Sequence, residues 1–312
     1  MASMTEAIRH EGGLVAAACA GDERAFGELV EPYRRALEVH CYRMLGSLHD
    51  AEDAVQETSL KAWRSLDRFE SRASVQTWLY RIATNTCLDE LERRPRRAEP
   101  VVDPYPDARL QESGSAVVDP AARYAQREGI ELAFLTSIQR LPGRQRVVLI
   151  LRDVLGWSAA ETAELLGSSA SAVHSVLQRA RATVDRQLPA RSEFPRRASE
   201  RDLLRRYVDA WERSDIDGLV ALMREDAALL MPPQPSVEGA GAVAAFFAHA
   251  RSAWRLTARP AWANGQPAIA LAERTCDGEL RPHRLLLLEI EGDSVIRLHA
   301  YGGAHVLAAF GL

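Results

Sequence analysis

Four carboxylates, Asp50, Glu52, Asp53 and Glu57, fall within eight residues. Side chains that close repel one another. A helix tolerates them near its N-terminus, where the macrodipole favours negative charge, or against a cationic surface. On spacing alone they also suit a solvated acidic first turn. Further on, Trp63, Phe69, Trp78 and Tyr80 interleave with Arg64, Arg68, Arg72 and Arg81, and Asn85 lies one helical turn beyond Arg81. Aromatic faces stack unpaired bases, arginines hold phosphates and Asn pairs with a base edge; Trp63 and Trp78 serve equally well as core. A third set is His174, Ser175, Gln178, Arg179 and Arg181. Short polar residues first and arginines later along one helix suit major-groove entry with phosphate anchoring. Cys19, Cys41, Cys87 and Cys276 are widely spaced with no CxxC and no Cys/His cluster. They read as small buried hydrophobes in a reducing compartment, with no disulfide framework, metal site or cofactor indicated.

The elements that must position these residues follow from periodicity. From Leu14 to about Leu91 apolar residues recur at three and four, with Ala51, Ala54, Val55, Thr58, Ala62 and Leu66 as one stripe and Leu79, Ile82, Ala83, Thr86 and Cys87 as another. Arg93, Arg94, Pro95, Arg96 and Arg97 then lead into a stretch with Pro100, Pro104, Pro106, Gly114 and Pro120, so residues 98–119 read as a flexible linker. Helical pattern resumes from Ala121 to about Leu188. Within it Ser158 and Glu161 make a capping box, Gly167 permits a sharp turn and Ser171 caps a second helix with Val173, Val176, Leu177 and Ala180 inward: a helix-turn-helix, or a helical hairpin that only packs. After a break at Pro189–Pro195 the pattern changes type. Helices around 204–211 and 239–252 precede strand-like runs at 254–262, 267–273, 283–290 and 294–301, punctuated by Asn264-Gly265, Asp277-Gly278 and Gly292-Asp293. Helices first and a meander afterwards is an α+β order.

Composition bounds the function. The 312 residues carry 39 basic and 43 acidic side chains, net charge −4. Mean hydropathy is −0.20. That length suits two or three domains. No apolar run is long enough to span a membrane and no signal peptide precedes the helices, which predicts a cytoplasmic protein. The charge excludes a free-standing, strongly basic DNA binder, yet it is sorted locally: acidic over Asp50–Glu57, basic over Arg93–Arg97 and from Arg179 to Arg197. Lys61 is the only lysine; every other basic side chain is arginine, planar and permanently charged.

The run from Asp50 to Asn85, with DAEDAVQET, LKAWRSLDRF and TWLYRIATN in order, resembles region 2 of extracytoplasmic-function (group 4) sigma-70 factors. LPGRQRVVLILRDVLGWSAAETAELLG and the helix after it resemble sigma region 4. The resemblance implies a multidomain protein: sigma region 2 over 1–97, a linker over 98–119 and a region 4 helix-turn-helix over 120–190, both sigma domains all-α. It implies that Asp50, Asp53, Gln56 and Glu57 bind core RNA polymerase at the β′ clamp helices, with the β flap as a second contact. Arg72, Trp78, Arg81, Ile82 and Asn85 would act on the −10 promoter DNA, and His174, Ser175, Gln178, Arg179 and Arg181 on the −35 element. Ser59 stands where the family often has Phe, the 70–77 loop lacks a common aromatic, and His174 and Val176 replace frequent basic residues. Fewer phosphate contacts, and a shallower salt dependence, are expected. An anti-sigma factor is a further implied partner.

Residues 197–312 resemble SnoaL-like members of the NTF2 superfamily, an α+β fold with a conical sheet around a pocket. The runs that carry this are LLRRYVDAWERSDIDGLVALMREDAALLMPP and the later AVAAFF. That fold hosts enzymes and binding modules alike. Tyr207, Trp211, His299 and Tyr301 are the side chains a pocket would present to a small ligand, with Asp226 as a further acid; they also suit plain core and cavity lining. The reading is therefore a promoter-specificity subunit, not an enzyme, regulated in cis by its C-terminal domain. The alternative is a helix-turn-helix regulator with a ligand-binding or enzymatic NTF2-like domain.

Overall fold

The structure is a computed structural model, describing residues 2–69, 74–93, 102–111, 131–186 and 197–311. In chain order the helices are α1 (Ala2–Cys19), α2 (Glu23–Leu45), α3 (Leu48–Ser65), α4 (Val75–Arg93), α5 (Asp107–Gln111), α6 (Leu132–Gln139), α7 (Gly143–Leu149), α8 (Ala159–Leu165), α9 (Ala170–Asp185), α10 (Arg197–Glu212), α11 (Ile216–Ala221), α12 (Ala240–Ala253) and α13 (Ala304–Ala309). The strands are β1 (Met223–Leu230), β2 (Val237–Glu238), β3 (Leu256–Ala263), β4 (Gln266–Arg274), β5 (Leu280–Glu291) and β6 (Ser294–Tyr301). The chain divides into two units. One holds the described residues up to Val102 and those from Ala133 to 186; the other holds 103–111, 131–132 and 197–311.

In the helical unit, α2 starts at Asp22, whose carboxylate accepts from the Arg24 and Ala25 backbone N–H groups, and ends at Gly46, whose φ of 75° is the left-handed cap that glycine adopts without strain. Ser47 then caps α3. Leu37, Cys41, Met44, Leu48, Ala51, Leu79 and Ala83 are buried where α2, α3 and α4 meet. The two helical modules are packed together. Gln139 Nε2 donates to the Arg43 carbonyl at 2.9 Å. The buried Arg146 guanidinium donates to carbonyls of Met44, Ile138, Gln139 and Leu141. Tyr80 and Trp157 rings lie 5.7 Å apart.

In the second unit six strands form one sheet in the order β2-β1-β6-β5-β4-β3. β1 runs parallel to β6, and the other pairs are antiparallel. Leu286 and Leu288 face a core with Leu204, Tyr207, Trp211, Leu219 and Phe247 from α10, α11 and α12. Leu285 and Leu287 point the other way, into a smaller core with Ala263, Ala268 and Leu307, against which Leu132, Tyr301 and Phe310 pack. Four consecutive leucines are tolerated because both faces of β5 are covered.

Asn264 (φ 54°) and Gly265 (φ 75°) supply the positive-φ pair that a tight two-residue hairpin needs between β3 and β4. The linker reading needs correcting here. Pro106 makes an antiparallel bridge with Ala263. The Tyr105 N–H donates to Asn264 Oδ1 at 2.7 Å, and the Asn264 N–H returns a bond to the Tyr105 carbonyl at 3.0 Å. Gly265 N–H donates to Asp107 Oδ1 at 2.9 Å. Within 98–119, residues 102–111 are thus part of the C-terminal unit. The composition rule failed because prolines also suit a segment laid on a sheet edge, where no ladder donor is asked of them.

Candidate promoter and polymerase interfaces

On α3 the acidic residues fall along one strip. Asp53 and Gln56 are exposed and Asp50 and Glu57 half-buried. Leu60, 44% exposed, extends the strip by one turn. Sequence reasoning missed Leu60; the signal was its i+7 spacing from Asp53 on a face with no core partner. Part of the neutralisation is internal: Lys61 Nζ lies 3.9 Å from Glu57 and 3.4 Å from Asp89 of α4, and donates to Thr86 Oγ1 at 3.1 Å. The single lysine thereby ties α3 to α4. Asp53 has His49 Nε2 at 3.5 Å. Such exposed pairs contribute little to stability.

On α4, residues 78, 81, 82 and 85 share one face. Arg81 and Asn85 are exposed and Ile82 and Trp78 half-buried. Trp78 leans on Phe69 at 5.0 Å between ring centres, and Trp63 on Phe26 at 5.1 Å, in a small core with Leu14, Ala18 and Leu66. Both tryptophans thus pack internally. Arg72 lies outside the described residues. Ser74 Oγ accepts from the Thr77 N–H at 3.2 Å, fixing the start of α4. Behind this face His40 is fully buried with Nε2 3.0 Å from Thr84 Oγ1. Burial, then the Arg43 charge, holds its pKa down at about 3.

The helix-turn-helix is α8 and α9. Ser158 and Glu161 form the reciprocal capping box, at 2.7 and 3.1 Å, and Gly167 sits at φ 56° in the turn. Ser169, not Ser171, caps α9 by accepting from the Ala172 N–H; Ser171 Oγ lies 3.0 Å from Ser169 Oγ. The helix starts two residues earlier than a Ser171 cap would allow, because either serine can cap and the earlier one has the extended backbone a cap requires. Val173, Leu177, Ala180 and Val184 are buried. His174, Ser175, Gln178 and Arg179 form an exposed face. Two expectations change. Arg181 is engaged by Asp153 in a bidentate pair at 2.8 and 2.6 Å, so its guanidinium ties α9 to the π-helical turn Ile150–Val154. Val176 is half-buried, lining a groove of about 200 Å³ with Arg144, Val148 and Leu166.

In the C-terminal unit the four pocket residues are not brought together. Tyr207 and Trp211 are fully buried in the helix-side core. The Tyr207 hydroxyl has no hydrogen-bond partner among the described residues, and burial pushes its pKa far up. His299 and Tyr301 pair with Leu287 and Leu285 on β5 and so lie on the opposite sheet face. His299 is 3.4 Å from Glu289, and Tyr301 is raised to about 12 by burial and then by the charge of Asp103. Asp226 is exposed and held below the usual carboxylate range by Arg224. A pocket shared by all four is therefore corrected: strand alternation turns residues at this register away from the helices. The cysteine reading is also corrected in half. Cys41 and Cys87 are buried, but Cys19 and Cys276 are exposed. None of the described helices is long and apolar enough to cross a membrane.

Residues 29–97 match the family Sigma-70 region 2, residues 131–184 the family Sigma-70, region 4, and residues 204–302 the SnoaL-like domain. The ECF RNA polymerase sigma factor SigG of Mycobacterium tuberculosis is 41% identical over 93% of this chain and 85% of its own. The chain belongs to the extracytoplasmic-function sigma factors. Another such relative, SigM of Mycobacterium tuberculosis, is 36% identical over 58% of this chain and 85% of its own. In fold, this sigma factor is similar to the crystal structure of Mycobacterium tuberculosis extracytoplasmic function sigma factor SigJ, with a TM-score of 0.59 at 22% identity over 91% of this chain and 98% of that one. As a sigma factor it binds core RNA polymerase and promoter DNA in transcription initiation, and it carries a SnoaL-like domain after region 4.

Proposed function

We propose that the strip Asp50, Asp53, Gln56, Glu57 and Leu60 docks on the β′ clamp helices of core polymerase, and that region 4 engages the β flap. The strip's carboxylates meet basic groups, and Leu60 supplies the apolar contact that strengthens a polar patch. The face of Trp78, Arg81, Ile82 and Asn85 then works on the opened −10 strand, with Arg81 on phosphate and Asn85 on a base edge. His174, Ser175, Gln178 and Arg179 read the −35 element from the major groove. The observation that supports this best is that His174, Ser175, Gln178 and Arg179 emerge as a continuous exposed face on a helix capped by Ser169, while Arg81 and Asn85 are exposed one turn apart on α4. The C-terminal domain acts in cis, through the segment 102–111 that it holds. A separate anti-sigma protein is a further candidate partner, competing for the same α3 strip.

Core polymerase capture and run-off transcription test the reading. Asp53→Ala with Leu60→Ala should lose capture with the fold intact by circular dichroism. Gln178→Ala should keep capture and lose transcription from −35-dependent promoters. Capture undiminished in the first variant would overturn the docking strip. A chain ending at Leu188 should differ from the full chain in transcription rate; equal rates would sink regulation in cis.

A further inference from the structure

Of 39 basic side chains one is lysine, and it stands where the two proposed faces of region 2 meet. Lys61 lies one turn beyond Glu57, the last carboxylate of the docking strip, and next to Leu60. Its Nζ reaches across to α4, donating to Thr86 Oγ1 at 3.1 Å and to Asp89 Oδ2 at 3.4 Å, while Glu57 Oε1 lies 3.9 Å away. Thr86 is buried, so its hydroxyl fixes where the ammonium sits. Asp89 is exposed one turn beyond Asn85 and two turns beyond Ile82, so it continues the face of α4 that carries Arg81 and Asn85. One ammonium therefore stands between a carboxylate of the polymerase strip and a carboxylate of the DNA face.

Neither carboxylate closes on that ammonium. A tight charge-assisted N–H···O bond runs about 2.7–2.9 Å, and both distances here are longer. Glu57 and Asp89 thus share one counter-charge. The sharing has a consequence for DNA. While Lys61 is drawn toward Glu57, Asp89 presents negative charge on the face that a phosphate strand approaches. A basic group of polymerase that pairs with Glu57 leaves the ammonium to Asp89 and cancels that charge. The residue type matters. A guanidinium is a planar fork that takes one carboxylate bidentately, whereas an ammonium is a point charge with three rotatable donors and can be shared.

We infer that Lys61 is a positioning residue that couples polymerase docking on α3 to capture of the −10 strand on α4, acting through Glu57 and Asp89. The inference rests on the proposed use of those two faces and names how one controls the other. Such coupling is reciprocal: strand and core strengthen each other's binding by the same factor. The full chain, labelled at the exposed Cys276 in a Cys19→Ser background, is titrated with bacterial core polymerase and followed by fluorescence anisotropy. The titration is run with and without a saturating single-stranded oligonucleotide spanning the −10 element of a promoter that the holoenzyme transcribes. The readout is the ratio of the two Kd values, about fivefold or more in the wild type. Lys61→Met removes the shared charge and Asp89→Asn removes one competitor at nearly constant shape; each should bring the ratio below about twofold. The double variant should fall no further than either single one, since both cut one link. Lys61→Arg keeps the charge yet should lose the ratio too, because its fork commits to one carboxylate. A lysine that only braced α3 against α4 would, once replaced, weaken core binding equally with and without oligonucleotide. An unchanged ratio in Asp89→Asn, an exposed and near-isosteric change that does not depend on how well Lys61→Met folds, therefore overturns the inference, as does a wild-type ratio in Lys61→Arg. If Asp53→Ala with Leu60→Ala loses capture while these ratios stay unchanged, this inference alone falls. Capture undiminished in that variant removes the docking strip and the coupling together.

Discussion

His40 is buried behind the α4 face, and its position sets a pH response. Its folded pKa, about 3, lies below the ordinary 6.5 because burial disfavours the imidazolium. Above the ordinary value both folded and unfolded chains are neutral and no penalty arises. As pH falls through 6.5 the unfolded chain takes up a proton that the folded one refuses until about 3. Each pH unit in that window costs about 1.4 kcal/mol. Urea unfolding should show a loss of about 1.4 kcal/mol between pH 7.5 and 5.5, and the His40→Asn chain should lack that increment. Tyr207 is the converse case. Its buried hydroxyl is unsatisfied among the described residues, so Tyr207→Phe should leave stability unchanged or raise it by about 1 kcal/mol. A clear drop in melting temperature would show that the hydroxyl has a partner to lose.

At the scale of elements, α9 divides its arginines between two tasks. Arg179 is exposed on the face of Ser175 and Gln178, whereas Arg181 is tied to Asp153. Both belong to one polar run, and nothing in the local pattern tells them apart, because Asp153 lies 28 residues away. Salt titration of promoter binding by holoenzyme separates them. Arg179→Ala should reduce the slope of log K against log salt by about 0.9. Arg181→Ala should leave that slope alone and lower the stability of the helix-turn-helix by about 1 kcal/mol or less, since the pair is exposed. Equal slope changes would show that Arg181 leaves Asp153 to reach DNA. The capping box at Ser158, the glycine turn at Gly167 and the Asn264-Gly265 hairpin were all legible, since each is local chemistry closing within a few residues. The cap of α9 falls at Ser169, two residues before the expected Ser171, because neighbouring serines offer the same acceptor.

Across the whole molecule, one buried arginine joins what sequence similarity treats as separate modules. Arg146 sits at the start of region 4, yet its guanidinium serves the Met44 carbonyl at the end of α2 as well as its own turn. Arg146→Ala leaves several buried carbonyls without a donor. It should cost roughly 2–4 kcal/mol and turn one unfolding transition into two; a single transition at the wild-type urea midpoint would show that the modules are not coupled through it. The charge balance acquires a location at this scale too. Net −4 is not spread evenly: an acidic strip lies on α3 and an arginine-bearing face on α9.

The residues alone determined the helical periodicities, the helix-turn-helix and the strand meander, because each is a repeat of 3.6 or 2 residues punctuated by caps and turns; the order of the two sigma regions came from their resemblance to a known family. They also determined which side chains of α4 and α9 share a face. Only the tertiary structure decided that His299 and Tyr301 turn away from Tyr207, that Arg181 is spent on Asp153, and that the proline-rich segment lies on the β3–β4 edge. These depend on pairings between residues far apart in sequence, Tyr105 with Asn264 across 159 positions among them. Four consecutive leucines in β5 are buried, two on each face of the sheet. What covers the second face could be known only once the chain had folded back to put it there.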